Sequence, residues 1–132
     1  MSQENVDVVR RIYASWAPGS SPAESNLLHP DIEWVNPSDA LEPGTRTSIE
    51  AFTSIIEGLD DTIGDLRMDV ERFIDAGDRV VAIATMRGQG SASGVEIERR
   101  HGSVWTIRDG KAVRFQWFNE PHEALEAVGL SE

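Results

Sequence analysis

The chain has 132 residues, of which 12 are basic and 23 acidic, and a formal net charge of -11. This length suits one domain with a hydrophobic core, so we expect a single domain over residues 1–132. The negative charge disfavours binding to nucleic acid phosphates and to anionic membranes. The chain has no cysteine, which excludes disulfides and thiol chemistry. The N-terminal residues show no signal-peptide pattern, and we expect a cytoplasmic protein.

Four helices are predicted. In residues 3–17, apolar side chains recur at the three- and four-residue intervals of one helix face, and these are Val6, Val9, Ile12, Tyr13 and Trp16. Capping boxes predict two more helices, at residues 22–28 and 48–58. A last helix is predicted to begin at Pro121 and to be capped by Gly129.

Strands are predicted where the pattern alternates. A brief strand at residues 31–36 places Ile32, Trp34 and Asn36 on one side. Longer strands are predicted at residues 66–74, 79–87, 95–108 and 112–119, with loops at 38–46 and 88–94. Helices followed by long antiparallel strands indicate an α+β fold. We expect a curved antiparallel sheet that forms a cone around the N-terminal helices, with a short C-terminal helix.

The last two strands are predicted to form a hairpin around Asp109 and Gly110. A two-residue turn would mix large apolar and charged side chains on both faces, so we expect a three-residue loop with Gly110 in the left-handed conformation. The inward pairs would then be Trp105 with Val113, Ser103 with Phe115, His101 with Trp117 and Arg99 with Asn119. The outward face would be largely polar, although Val104 and Phe118 do not fit that pattern. A slip of one residue would turn every side chain over.

Six segments together resemble one family: VVRRIYASW, HPDIEW, GTRTSIEAF, DAGDRVVAI, VWTIRDGKAVRFQWF and EALEAVGL. The chain resembles the SnoaL-like branch of the nuclear transport factor two-like superfamily. The resemblance implies a cone-shaped curved sheet and a homodimer through the outer sheet face. Members include polyketide cyclases, ketosteroid isomerase, dehydratases, epoxide hydrolases and proteins that only bind or dimerise.

The known residue patterns of these enzymes are altered here. The ketosteroid isomerase tyrosine, base and protonated acid fall at Ile12 (beside Tyr13), at Asn36 and near Ser103. Asparagine cannot take up a proton and serine is a weaker donor than a carboxylic acid, so that mechanism is not expected. The pocket aspartate of the cyclases falls at Asn119.

His101 is the titratable group on the inward hairpin face whose ordinary pKa, about 6.5, suits proton transfer near neutral pH. The predicted catalytic set is His101 as acid or base with Tyr13, Asn36 and Asn119 as hydrogen-bond donors. The predicted ligand-binding set is Trp16, Trp34, Arg99, Ser103, Trp105, Phe115 and Trp117. No metal-ligand spacing or phosphate-binding loop occurs, so neither a metal nor a cofactor is expected.

Two functions stay open. The first is binding of a small, largely apolar molecule with a carbonyl or hydroxyl group, with cofactor-free proton transfer as the chemistry if the protein is an enzyme. The second is a non-catalytic domain that dimerises or carries a ligand and whose interior the same residues fill. A fold alone does not choose between them.

Overall fold

The computed structural model describes residues 2–15, 27–36, 44–47, 63–90 and 93–130. The elements in these ranges are α1 (Ser2–Ser15), β1 (Leu28–Asn36), β2 (Gly44–Thr47), β3 (Ile63–Ala76), β4 (Arg79–Gly90), β5 (Glu96–Arg108), β6 (Lys111–Phe118) and α2 (Pro121–Ala127). Trp16 and the expected helix at 48–58 lie outside the described residues. Of the expected helix at 22–28 only the end is described, and there Leu28 begins β1 instead.

The strands form one six-stranded curved sheet in the order β2-β1-β6-β5-β4-β3. Every neighbouring pair is antiparallel except β1 and β6, which are parallel. The α+β prediction is confirmed, but the sheet is mixed, not purely antiparallel. A parallel pair needs a long connection, which the intervening strands provide here.

One strand of the sheet was not predicted from the sequence. Residues 44–46 were expected to lie in a loop and Thr47 to cap the helix predicted at 48–58, but Gly44–Thr47 is an edge strand that pairs antiparallel with β1, from Glu33 opposite Thr47 to Asn36 opposite Gly44. Four residues that follow a proline and include a glycine are too short to show an alternating pattern.

The turn between β5 and β6 has two residues. Asp109 has φ 53° and Gly110 has φ 77°, and the flanking Arg108 and Lys111 are paired. This is the backbone of a type I′ turn, in which both central residues have positive φ. The expected three-residue loop is therefore wrong.

A β-bulge nevertheless restores the expected faces. Thr106 pairs with Arg114 whereas Ile107 pairs with Ala112, so Val113 is an extra residue on β6. Beyond the bulge, Ser103 is paired with Trp117, two residues further along β6 than expected. Because side chains alternate along a strand, a displacement of two residues leaves each on its predicted face.

The inner face of the sheet packs against α1. The helix buries Val6, Val9, Ile12 and Tyr13, as its periodicity predicts. Their partners in the main core are apolar residues of all the long strands, including Ile32, Trp34, Val80, Ala82, Trp105, Ile107, Ala112 and Phe115. The side chains discussed below lie on this inner face.

The outer face is covered in part by α2. Ala124 and Leu125 pack on Val81, Ile83 and Val104, with Phe118 beside them, which explains the two apolar residues that did not fit a solvent-facing surface. A Cβ atom at Gly102 would lie 2.7 Å from Cβ of Ala124 and 3.2 Å from Cα of Pro121. The helix therefore rests directly on the β5 backbone, where only glycine leaves room.

The end of α2 follows its sequence prediction. Gly129 has φ 81°, its N–H donates to Glu126 O over 3.0 Å, and the N–H of Leu130 donates to Leu125 O over 2.8 Å. These two bonds are the Schellman arrangement that glycine favours at a helix end.

Farther from α2, charged side chains cross the outer face of β3, β4 and β5. Arg87 donates to Asp69 over 2.7 Å and also pairs with Glu98. Arg100 donates to Glu71 over 2.8 Å. The hydrogen bond from Arg100 lowers the pKa of Glu71. This half of the outer face is polar and carries both signs of charge.

Candidate functional site

A line of aromatic rings crosses the inner face. Ring centroids are 4.5 Å apart for Trp34 and Phe115, 4.6 Å for Phe115 and Trp105, and 5.7 Å for Trp105 and Tyr13. Tyr13 also meets Phe73 of β3 at 5.9 Å, edge to face. Tilted and edge-on contacts at these separations are favourable for aromatic rings. The line joins β1, β6 and β5 to α1.

The deep end of this line contains a chain of two hydrogen bonds that meet at the Tyr13 hydroxyl. Trp105 Nε1 donates to the Tyr13 hydroxyl over 3.3 Å, and the Tyr13 and Ser103 hydroxyls lie 3.1 Å apart. Trp105 and Ser103 are fully buried and Tyr13 is nearly so. Burial raises the pKa of Tyr13 above its ordinary value, so the hydroxyl stays protonated at neutral pH. These three residues form a satisfied polar contact within the core.

His101 lies farther along β5 on the same face. Its side chain is 1% exposed and stacks on Trp117 with ring centroids 3.9 Å apart and planes 13° apart. Its Nδ1 is 3.4 Å from the carbonyl oxygen of Arg99. A carbonyl oxygen can only accept, so Nδ1 carries the hydrogen and Nε2 has the lone pair.

The environment of His101 keeps the imidazole neutral. Burial lowers its pKa, the hydrogen bond to the backbone carbonyl of Arg99 offsets only part of this change, and the positive charge of Arg99 adds to it, so that the pKa falls from 6.5 to about 4. Protonation near neutral pH would place an unpaired cation in the interior. At pH 7 the side chain is therefore a hydrogen-bond acceptor at Nε2 and not an acid.

Two asparagines accept hydrogen bonds from neighbouring tryptophans. Trp34 Nε1 donates to Asn36 Oδ1 over 2.6 Å, and Trp117 Nε1 donates to Asn119 Oδ1 over 3.0 Å. Both asparagines are half-buried. Each tryptophan lies two residues before its asparagine, so the two side chains share a side of the strand.

Arg99 is the outermost member of the row on β5. Ser103, His101 and Arg99 occupy alternate positions, and exposure increases from the fully buried serine to the exposed arginine. The ion pairs of the described residues involve other arginines, namely Arg79, Arg87 and Arg100. None of these pairs includes Arg99.

The predicted site residues thus fall into two groups. Tyr13, Ser103, Trp105 and Phe115 lie in the packed core. His101, Trp117, Asn119, Asn36 and Arg99 lie towards one end of the inner face, where β5 begins and β1 and β6 end. Trp34 connects the groups through its contacts with Phe115 and Asn36.

Sequence reasoning missed the contribution of β3 to this face. Met68, Val70 and Phe73 pack against the main core, and the guanidinium of Arg10 lies 4.9 Å from the Phe73 ring centroid. The alternation of Met68 and Val70 is visible in the sequence. A bulge between Val70 and Arg72 then changes the parity, which brings Phe73 inward.

No group of three His, Asp or Glu side chains that could hold a metal ion occurs among the residues that the structure describes. In the same residues, no helix combines the length and apolar character needed to cross a membrane.

Known proteins with related sequences and folds place this geometry in a family. A family model described as a SnoaL-like domain matches residues 9–115. No curated protein matches the sequence significantly.

Solved structures match nearly the whole chain. TerC, co-crystallised with polyporic acid, is 26% identical with a TM-score of 0.74, over 95% of this chain and 98% of its own. An NTF2-like protein of unknown function from Burkholderia pseudomallei K96243 is 23% identical with a TM-score of 0.75, over 96% and 98%. A protein named as a SnoaL-like polyketide cyclase from Jannaschia sp. CCS1 is 19% identical with a TM-score of 0.78, over 99% and 95%. The similarity to the last two proteins shows a shared fold and nothing further. The family match over residues 9–115 shows that this chain belongs to the SnoaL-like domain family.

Proposed function

We propose that the protein binds a small, largely apolar molecule with a carbonyl or hydroxyl group at the His101 end of the inner face. The observation that carries the proposal is the buried imidazole stacked on Trp117, whose Nδ1 is bound to a backbone carbonyl and whose Nε2 has the lone pair. Binding sites for small molecules combine apolar walls with a few placed polar groups. The aromatic line supplies such walls, and His101, Asn36 and Asn119 supply the polar groups.

If the bound molecule reacts, the chemistry we propose is cofactor-free proton transfer of the isomerase, cyclase or dehydratase type. His101 is then the base. Its low pKa leaves it unprotonated at pH 7, so Nε2 can receive a proton from an acidic C–H or O–H group of the ligand. A negative charge that develops on the ligand would raise the imidazole pKa and favour the transfer.

A second function has its own support. Trp105, Ser103 and Tyr13 fill the deep part of the inner face and satisfy one another's hydrogen bonds. An interior packed in this way suits a domain that carries a ligand passively or only dimerises. We also propose that the chain forms a homodimer through the outer sheet face, using the polar half beyond α2.

Polyporic acid is the first ligand to test, because TerC was co-crystallised with it. We expect the native protein to bind it in isothermal titration calorimetry and the H101Q variant to bind about tenfold more weakly, since one hydrogen-bonding and stacking group is lost. The matched control is H122Q, which changes an exposed histidine on α2 and should bind as the native protein does.

The same experiment separates the two functions. Equal binding by native protein and H101Q would remove His101 from the site. If the native protein does not bind polyporic acid and its His101 NMR signals do not move with any carbonyl compound added, the filled-interior function is favoured.

A further inference from the structure

The two ring nitrogens of His101 differ in what they can bind. Nδ1 is 3.4 Å from the carbonyl oxygen of Arg99, and a carbonyl oxygen can only accept, so Nδ1 carries the hydrogen. Nε2 of the neutral ring is therefore an acceptor and cannot donate. A ligand carbonyl placed at Nε2 would bring two lone pairs together, whereas a ligand hydroxyl would donate to it.

The Nε2 edge of the ring keeps access to open space. None of the residues that the structure describes donates a hydrogen bond to this atom. In the same part of the chain, no side-chain nitrogen or oxygen is both fully buried and without a hydrogen bond. Nε2 is therefore not fully enclosed, although the residue as a whole is only 1% exposed. Because Trp117 covers a face of the ring, a ligand group reaches Nε2 in the plane of the imidazole.

Arg99 brings a positive charge to the same face of the sheet, nearer to solvent. It lies two residues before His101 on β5, so the two side chains share a face and their Cα atoms are about 7 Å apart. Their partners on β4, Met86 and Ala84, continue the alternation of Ala82, which lies in the main core. The positive charge of Arg99 lowers the pKa of His101, so the guanidinium is close enough to act on the imidazole.

The charge of Arg99 is a local exception to the charge of the whole chain. The formal net charge of -11 repels anions at long range. Arg99 is exposed, and the ion pairs formed within the described residues involve other arginines. The inner face therefore carries a hydrogen-bond acceptor at His101 and, nearer to solvent, a cation that suits a carboxylate.

We propose that the ligand is an aromatic hydroxy acid, whose hydroxyl group donates to His101 Nε2 and whose carboxylate pairs with Arg99. The ring of the ligand lies between these two groups, along the apolar wall that includes Met86. A benzene ring with para substituents holds them at about the 7 Å that separates alternate residues of a strand. The inference rests on the proposed function and narrows its ligand to one with a donor at one end and a negative charge at the other.

Three probes of nearly equal size separate the two contacts. At pH 7, 4-hydroxybenzoate has a protonated hydroxyl group and an ionised carboxylate. 4-Methylbenzoate has a methyl group in place of the hydroxyl, and 4-hydroxybenzamide has a neutral amide in place of the carboxylate. In ¹H–¹⁵N NMR titrations we expect 4-hydroxybenzoate to bind about fivefold more tightly than 4-methylbenzoate, for one net hydrogen bond, and about threefold more tightly than 4-hydroxybenzamide, for one exposed ion pair.

Variants assign each preference to a side chain. R99Q keeps a polar side chain without the charge, and it should remove the preference over 4-hydroxybenzamide while keeping that over 4-methylbenzoate. R108Q is the matched control, because it makes the same change in net charge at the exposed hairpin end. It should keep both preferences. H101F keeps a ring beside Trp117 but has no lone pair, and it should remove only the preference over 4-methylbenzoate.

The tautomer of His101 is measured directly by long-range ¹H–¹⁵N NMR of the imidazole. We expect the hydrogen on Nδ1 in the free protein, and an Nε2 signal that shifts with 4-hydroxybenzoate but not with 4-methylbenzoate. A hydrogen on Nε2 would overturn the inference, because the ligand would then need an acceptor at this position. The measurement uses the native protein, so it decides the point even if H101F does not fold.

The outcomes separate this inference from the proposed function. Equal affinity of the native protein for the three probes, or equal effects of R99Q and R108Q, overturns the hydroxy-acid ligand. If the native protein binds polyporic acid but none of the three probes, the inference fails and the proposed function stands. If it binds none of the four compounds, the result counts against both.

Discussion

His101 shows how one buried group determines what the site can do at neutral pH. Its polar contact is with the backbone carbonyl of Arg99, which is too weak a partner to offset the loss of water around an imidazolium. The ring instead stacks on Trp117, as a neutral aromatic group does. The residue is therefore suited to receive a proton or to accept a hydrogen bond, and it cannot serve as the acid at pH 7.

The lowered pKa of His101 predicts a pH-dependent stability. The unfolded chain binds a proton at this residue near pH 6.5, whereas the folded protein does so only near its pKa of about 4. Between these values the unfolded state binds more protons, so stability is complete above pH 6.5 and is lost as the pH falls towards 4, by about 3 kcal/mol in total. Urea unfolding measured from pH 4 to 7 checks this.

The matched variant is H101Q, which keeps a polar side chain without a titration. The difference in unfolding free energy between native protein and H101Q should change across this pH range and be constant above it. Carboxylates contribute equally to both proteins and cancel. A constant difference from pH 4 to 7 would contradict the buried, unpaired imidazole.

The hydroxyl of Tyr13 gives a second prediction, which concerns stability. Y13F removes the hydroxyl that accepts from Trp105 Nε1 and contacts Ser103 Oγ, so it leaves buried polar atoms without that partner. We expect a loss of about 1–3 kcal/mol in the free energy of unfolding. Adding S103A to Y13F should recover part of the loss, because it removes the Ser103 hydroxyl, which contacts the Tyr13 hydroxyl in the native protein. A stability equal to native for Y13F would mean that the hydroxyl chain contributes nothing.

At the level of elements, the hairpin shows what the sequence could and could not reveal. Its aromatic face was predictable because side-chain parity follows directly from the alternation in β5 and β6. Its register was not predictable, because the pattern alone shows no break in the pairing of β6. A two-residue turn without a bulge would mix apolar and charged side chains on each face, and the bulge at Val113 separates them again. A bulge leaves no clear mark in a single sequence.

Contacts between distant elements were also beyond prediction. The polarity of Asn36, Asn119 and His101 could be read from the sequence, but the indole bonds and the tautomer depend on three-dimensional neighbours. The burial of Val104 by α2 likewise depends on where the chain turns after β6. The parallel pairing of β1 with β6 joins residues far apart in the chain and has no local signal.

The close contact between α2 and the sheet gives a prediction for Gly102. G102A places a methyl group 2.7 Å from Cβ of Ala124, so the helix must shift and the protein should lose about 1–3 kcal/mol of unfolding free energy. A124G should restore part of this loss in the double variant, because it removes the closest contact but not that with Pro121. Thermal unfolding of the four proteins checks the coupling. Additive losses would show that the helix does not rest on this glycine.

For the whole molecule, the two faces of the sheet are in contrasting environments. The inner face is apolar and carries the candidate site, whereas the outer face combines the α2 contact with the ion pairs of Arg87 and Arg100. Exposed ion pairs contribute little to stability, so this half of the outer face is better explained by solvent or by a polar contact with another copy than by folding energy. The net charge of -11 acts against such a contact.

That charge gives the proposed homodimer a testable salt dependence. Two chains of charge -11 repel over a Debye length of about 30 Å at 0.01 M salt but only about 10 Å at 0.1 M, while ion pairs in contact are screened less. We therefore expect analytical ultracentrifugation to show a dimer fraction that rises over this range of NaCl. R100E, which turns the pair with Glu71 into a repulsion on the proposed interface, should lower that fraction, and R108E, at the exposed hairpin end, should lower it less. A monomer at every salt concentration, or equal effects of the two variants, would contradict a dimer through the outer face.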